Sequence, residues 1–195
     1  MILSDREIQA AIARGSLSIK PLPAPKSWTS TAVDLTLDKQ IRQWKKSRGG
    51  MKNTVCPGSA DFDFTTLAAD NTEEIEIPAA GWDLLPDKFI LGWTVERIQL
   101  PHRSRIAARV EGKSSLARLG IGIHVTAPTI HAGFGYNLNN PNGGLPIQLE
   151  IWNVGPLTVQ LLPGLPICQL IFEEVHGTPE KGYEGMFTKQ GPPSR

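Results

Sequence analysis

Charge of one sign, long apolar runs and cysteine are all scarce in this sequence. Twenty Lys and Arg stand against 19 Asp and Glu, a formal net charge of +1. So close a balance gives no basis for expecting a nucleic-acid-binding surface or a patch for anionic membranes. No apolar run is long enough to cross a bilayer, and Met1-Ile2-Leu3 leads straight into Ser-Asp-Arg-Glu without the pattern of a signal peptide. A cytoplasmic protein with no membrane partner is therefore expected. The two cysteines, Cys56 and Cys168, lie far apart, and no disulfide is expected between them in a reducing compartment. Internal repeats are absent as well.

What is present is a chain of 195 residues, 40% hydrophobic, which fits one globular domain with a sizeable core over residues 1–195. Ser4-Asp5-Arg6-Glu7 has the form of a capping box. Ile8, Ala11 and Ile12 then share a helical face, and Gly15 can end the helix. After this the helical period disappears. Ala32–Leu37 alternates apolar and polar, as do Ile106, Ala108 and Val110, and Ile147, Leu149 and Ile151. Phe89–Val95 with Ile98 and Leu100, then Val159, Leu161, the turn Pro163-Gly164 and Ile167–Phe172, continue the strand pattern. Sixteen prolines and 19 glycines punctuate these short runs. The expectation is an all-β barrel or sandwich with a short N-terminal helix and small helical turns. Residues 45–60 are basic and read as an exposed loop, and 176–195 as a mobile tail.

Two segments invite a chemical reading. In Glu111–Gly120, Gly112 permits a tight turn and Ser114 or Ser115 can cap a short helix with Leu116 and Leu119 on its apolar face. Ser114 and Arg118 share a face, and two hydroxyls with Lys113 and Arg118 would suit a phosphate. On local pattern alone, an ordinary capped turn with solvated charges is the more usual reading. In Gln148-Leu149-Glu150-Ile151-Trp152-Asn153, Glu150 faces away from Leu149 and Ile151. On a solvated face it has no special role. On a pocket wall it would suit proton shuttling. The pattern leaves both open. His124–Ala127 and Ile130–Gly135 lie between the two segments and could line the same pocket.

The ordered set E-G-K-S-S-L-A-R-L-G, H-V-T-A-P-T-I-H-A-G-F, Q-L-E-I-W-N and L-P-G-L-P-I-C-Q-L resembles the dCTP deaminases of the dUTPase superfamily. The opening L-S-D-R-E-I, S-T-A-V-D-L-T-L, F-I-L-G-W-T-V-E-R-I-Q-L-P and the ending G-P-P-S-R extend the resemblance over nearly the whole chain. It implies a distorted, dUTPase-like β-barrel (a β-clip) and a homotrimer with nucleotide sites between subunits. By resemblance Glu150 is the catalytic glutamate, assisted at the reacting base by Ser114 and Arg118. The run Lys113, Ser114, Ser115, Leu116, Ala117 and Arg118 holds the phosphates, and Ala127 helps hold the water and base through its backbone. Gln148, Leu149 and Glu150 read the base edge, and Gln169 contacts phosphate. Lys181, Tyr183 and Gln190 match a phosphate-closing tail loosely. Magnesium would ride on the triphosphate. The substrates implied are dCTP or dUTP, with dTTP as an inhibitor left open.

Deaminating cytosine requires water to attack the carbon bearing the amino group, with protons delivered to the ring nitrogen and to departing ammonia. Many nucleobase deaminases use zinc, with H-x-E and P-C-x-x-C signatures. With four His and two Cys, this chain contains neither signature, so a zinc-independent reaction with Glu150 as general acid/base is expected. There are departures from the family. His131 stands where the family usually has an aspartate that contacts the sugar 3′-hydroxyl and, in dUTPases, orients the attacking water. Lys113 replaces a more usual arginine. Residues 135–146 are several residues longer than usual and read as a hairpin extension. Alternatives are a dUTP diphosphatase or bifunctional deaminase-diphosphatase, which His131 argues against, and a non-catalytic trimeric nucleotide-binding protein, which the retained Glu150, Ser114 and Arg118 argue against.

Overall fold

The computed structural model describes residues 1–45, 54–123, 127–137, 139–140 and 143–183. The basic stretch 46–53, His124-Val125-Thr126, Gln190 and the rest of the tail beyond Tyr183 lie outside the described residues. Helix α1 spans Asp5–Ala13 and carries the expected capping box: Glu7 donates its amide to Ser4 Oγ at 3.4 Å, and Ser4 N donates to Glu7 Oε2 at 2.9 Å. Gly15 follows the helix at φ 71°, in the left-handed region.

Most of the rest is strand. In chain order come β1 (Ser18–Lys20), β2 (Val33–Trp44), α2 (Phe64–Asn71), β3 (Thr72–Glu76), β4 (Trp82–Leu84) and β5 (Lys88–Gln99). These are followed by β6 (Ile106–Gly112), α3 (Ser114–Ala117), β7 (Ile121–Ile123), β8 (Thr129–Ile130), β9 (Leu145–Asn153), β10 (Val159–Leu161) and β11 (Pro166–Glu174). The main sheet runs β7-β9-β5-β2-β11-β6-β8, with β1 added to β5 and β3 to β2; β4 and β10 form a separate ribbon. It curls into an antiparallel half-barrel. The side chains facing its interior, among them Val33, Leu35, Leu37, Ile90, Ile147, Leu149, Ile151 and Leu170, are buried together in one core.

Two expectations are corrected here. The helical period does not end with α1, because α2 forms with Asp63 as its N-cap, accepting from Thr65 N at 2.9 Å and from the Thr66 hydroxyl at 2.7 Å. Its weak apolar face had hidden it. Neither Ser114 nor Ser115 caps α3. Lys113 occupies that position without a side-chain cap bond, and both serines lie inside the helical turn.

Strand β5 is bulged. Its register shifts between Trp93 and Arg97 against β9, and that of β2 shifts between Leu37 and Ile41 against β5. Side chains fill the gaps in the ladder: the Thr94 hydroxyl donates to Glu96 O at 2.7 Å and accepts from Ile147 N at 2.9 Å. Glu96 is 5% exposed and accepts from Thr36 N at 2.8 Å and from the Thr36 hydroxyl at 2.9 Å. Burial holds its carboxyl above the ordinary range, with the Thr36 and backbone bonds opposing the shift.

Candidate functional site

Strand β9 is hydrogen-bonded on both flanks, to β5 and to β7. Ile147, Leu149 and Ile151 are fully buried, whereas Gln148, Glu150 and Trp152 alternate with them on the other face and are half-buried. Tertiary structure thereby decides what alternation left open: the Glu150 face is a pocket wall. Glu150 and Gln148 line a cavity of about 340 Å³ with Ala127, His131 and Tyr183. That size is within the range of small-molecule sites. Apart from Thr129 the remaining wall is apolar, half of it aromatic, with Leu91, directly across from Glu150 on β5, as one member.

His131 stacks on Tyr183 with ring centroids 5.6 Å apart and 12° between planes, and Phe134 tilts against the same tyrosine at 6.4 Å. Gly133, at φ 101°, makes this contact possible, because a Cβ there would collide with the Tyr183 backbone nitrogen. The tail is thus docked as far as Tyr183. Lys181 lines a neighbouring hollow of about 380 Å³ with His131 and Tyr183.

The basic and hydroxyl residues around α3 are arranged differently. Ser114, Ser115, Ala117 and Arg118 are exposed, while Leu116 packs against the core. None of Lys113 to Arg118 lines the Glu150 cavity of its own chain. Lys113 pairs with Asp34 of β2 at 2.5 Å, and Gln169 of β11 donates to the other Asp34 oxygen at 3.1 Å. Two residues that the resemblance assigns to phosphate are therefore brought together by one carboxylate. Among the described residues no group of three or more His, Cys, Asp or Glu side chains is placed to hold a metal ion.

A family model described as dCTP deaminase-like matches residues 2–175. This chain belongs to the dCTP deaminase-like family. It is 36% identical to "dCTP deaminase, dUMP-forming" of Methanosphaera stadtmanae over 93% of this chain and 83% of that protein. It is 33% identical to "dCTP deaminase" of Rhodospirillum rubrum over 94% of this chain and 87% of that protein. Among solved structures, the 2′-deoxycytidine 5′-triphosphate deaminase of Agrobacterium tumefaciens shares the fold. Its TM-score is 0.65 at 20% identity, covering 90% of this chain and 48% of that one, so this chain spans about half its length.

Against the dCTP deaminase-like pattern, residue-by-residue reading missed two features of the site. One is Asp34, hidden inside an ordinary alternating strand. The other is the aromatic wall, whose members come from β2, α2 and β5, up to 45 positions apart between Trp44 and Phe89. The N-cap pattern at Asp63, followed by Leu67 and the buried Ala68, was the available signal for α2.

Proposed function

We propose that this protein deaminates dCTP to dUTP and ammonia without zinc, with Glu150 as general acid/base. The observation that carries the reading is a half-buried carboxylate on a core-anchored strand, lining a cavity beside Gln148, in a chain of the dCTP deaminase-like family. Glu150 takes a proton from water as its oxygen bonds to the ring carbon bearing the amino group. It passes that proton to the ring nitrogen, then takes the remaining proton from the newly added hydroxyl and delivers it to the amino group, which leaves as ammonia as the C–N bond breaks and the C=O forms. Such a shuttle contributes about 10²–10⁴-fold. Gln148 offers an amide to the base edge. Ser114 and Arg118 orient the amino group and offset developing charge.

Because those two residues do not line the cavity of their own chain, the reading includes a homotrimer in which a second copy brings its α3 to the cavity. A fully active monomer in sedimentation would contradict it. Magnesium enters on the triphosphate. Triphosphate oxygens and water would suit that ion, while Asp34 is engaged by Lys113 and Gln169. The unpaired Cys56 and Cys168 fit a reducing, cytoplasmic setting.

A second reading is favoured by the name of the Methanosphaera stadtmanae relative: deamination followed by cleavage of dUTP to dUMP and pyrophosphate. His131, stacked on Tyr183, opposes it, because an imidazole is a poor substitute for a water-orienting carboxylate. Chromatography of products from dCTP and dUTP, with and without dTTP, separates the readings. Under the first, dCTP gives dUTP, dUTP persists, and zinc chelation changes nothing. Absence of any product from either nucleotide would leave a binding protein.

A further inference from the structure

The Glu150 cavity has a polar side, Gln148 and Glu150, and an opposite character elsewhere. Trp44 at the end of β2, Phe64 at the first turn of α2 and Phe89 on β5 line the same cavity. Strand register explains how they meet. Gln43 pairs with Ile90, so the next position of that ladder sets Trp44 beside Phe89, and Phe89 pairs with Trp152 of β9. Leu91 and Glu150 form the pair two positions along. Trp44 and Phe89 therefore stand one row away from the carboxylate on the same face of the sheet, and Phe64 reaches the cavity from α2. Neither Trp44 nor Phe64 is sequestered in the core, and Phe89 is 41% exposed in spite of its size. A partly exposed apolar ring lining the same cavity as a carboxylate and an amide is suited to a flat ligand with a polar edge and an apolar face.

We infer that Trp44 and Phe64 form the stacking wall of the base subsite, taking the flat face of a pyrimidine while Gln148 and Glu150 meet its polar edge. The inference deepens the reading of this cavity as the nucleotide site and rests on that reading. Stacking on an aromatic side chain is tolerant of base identity, so the wall supplies affinity and orientation and leaves discrimination to the polar edge. Held flat, the ring presents its amino-bearing carbon to a water near Glu150.

The test uses the full chain. Phe64→Ala should raise KM for dCTP about 10- to 100-fold, the range that truncating a stacked aromatic produces. Competitive inhibition by inorganic tripolyphosphate, which lacks a base, should stay within threefold. Phe64→Tyr should restore most of the KM. In a Glu150→Gln background, dCTP should quench tryptophan fluorescence saturably, and Trp44→Phe should remove most of that quench. If Phe64→Ala weakens tripolyphosphate as much as dCTP, or if Trp44→Phe keeps the full quench, the stacking wall is overturned while deamination stands. If the parent protein neither binds nor converts dCTP, the functional reading itself fails.

Discussion

Strand β9 and the short helix α3 carry the two halves of the proposed chemistry, and they are held in opposite ways. Glu150 stands on a nine-residue strand bonded on both flanks, alternating with Ile147, Leu149 and Ile151, all at 0% exposure. Moving Glu150 means moving the core. α3 has four residues and no side-chain cap bond, and it presents Ser114, Ser115 and Arg118 to the surface. Its donors owe little to the core of their own chain. Glu150 is thus fixed by the folding of its own chain, whereas Ser114, Ser115 and Arg118 are not, and the proposed trimer would supply their geometry.

The sharpest way to break this comparison is at Glu150. Glu150→Gln keeps shape and hydrogen bonding but cannot accept the water proton. A loss in kcat on the order of 10²-fold or more is expected, roughly 3 kcal/mol of transition-state stabilisation, with nucleotide affinity within a few-fold. Retention of more than about a tenth of kcat, a loss under ~1.4 kcal/mol, would return Glu150 to the role of an ordinary half-buried strand residue.

Arg118→Ala should do less to kcat and more to KM, with dCTP binding weakened about tenfold, or ~1.4 kcal/mol. Because Arg118 is exposed, its removal should leave thermal stability within about 0.5 kcal/mol. An unfolding midpoint that falls sharply would show α3 to be part of the rigid frame after all.

Glu96 sharpens the comparison from inside the frame. Burial raises its carboxyl, so the folded state favours the protonated form. Its stabilising contribution is complete below the ordinary carboxylate range of about 4.3 and is lost as pH rises through the raised folded value. Glu96→Gln stays neutral and keeps an acceptor for the Thr36 amide. The variant should lose stability less steeply than the parent as pH rises, gaining roughly 2–4 °C in Tm for each kcal/mol recovered. Thermal scans from about pH 4 to 8 measure this, and an advantage that grows towards acid would reverse the assignment.

The smallest effect concerns the cysteines. Cys56 is exposed, while Cys168 is buried and its thiol is pushed up by that burial, with Glu96 and Asp34 adding to the shift. A thiol reagent should label one site quickly in the native protein and the second only on unfolding. Two fast sites would mean that β11 opens readily.

Much of the fold was legible locally. The capping box at Ser4 and Glu7, the alternation in β2, β6 and β9 and the Pro163-Gly164 turn each depend on neighbours in sequence, and each appears where the pattern put it. α2 was not legible, because its only strong signal is the Asp63 cap and its buried face is a single alanine. The capping role expected of Ser114 or Ser115 failed because the turn starts directly after β6, which puts Lys113 at the cap and both serines inside the helix.

By itself the sequence determined which residues could carry the chemistry: a carboxylate alternating with core residues, a run of hydroxyls and cations, and no zinc signature. That information lies in residue type and spacing, which local physics reads directly. Only the tertiary structure decided that the Glu150 face is a cavity wall and that Asp34 holds both Lys113 and Gln169. It alone decided that Trp44, Phe64 and Phe89 share a wall and that Tyr183 lies on His131. Each of these depends on strands distant in sequence lying side by side, and the register that aligns them is set by the packing of the whole core.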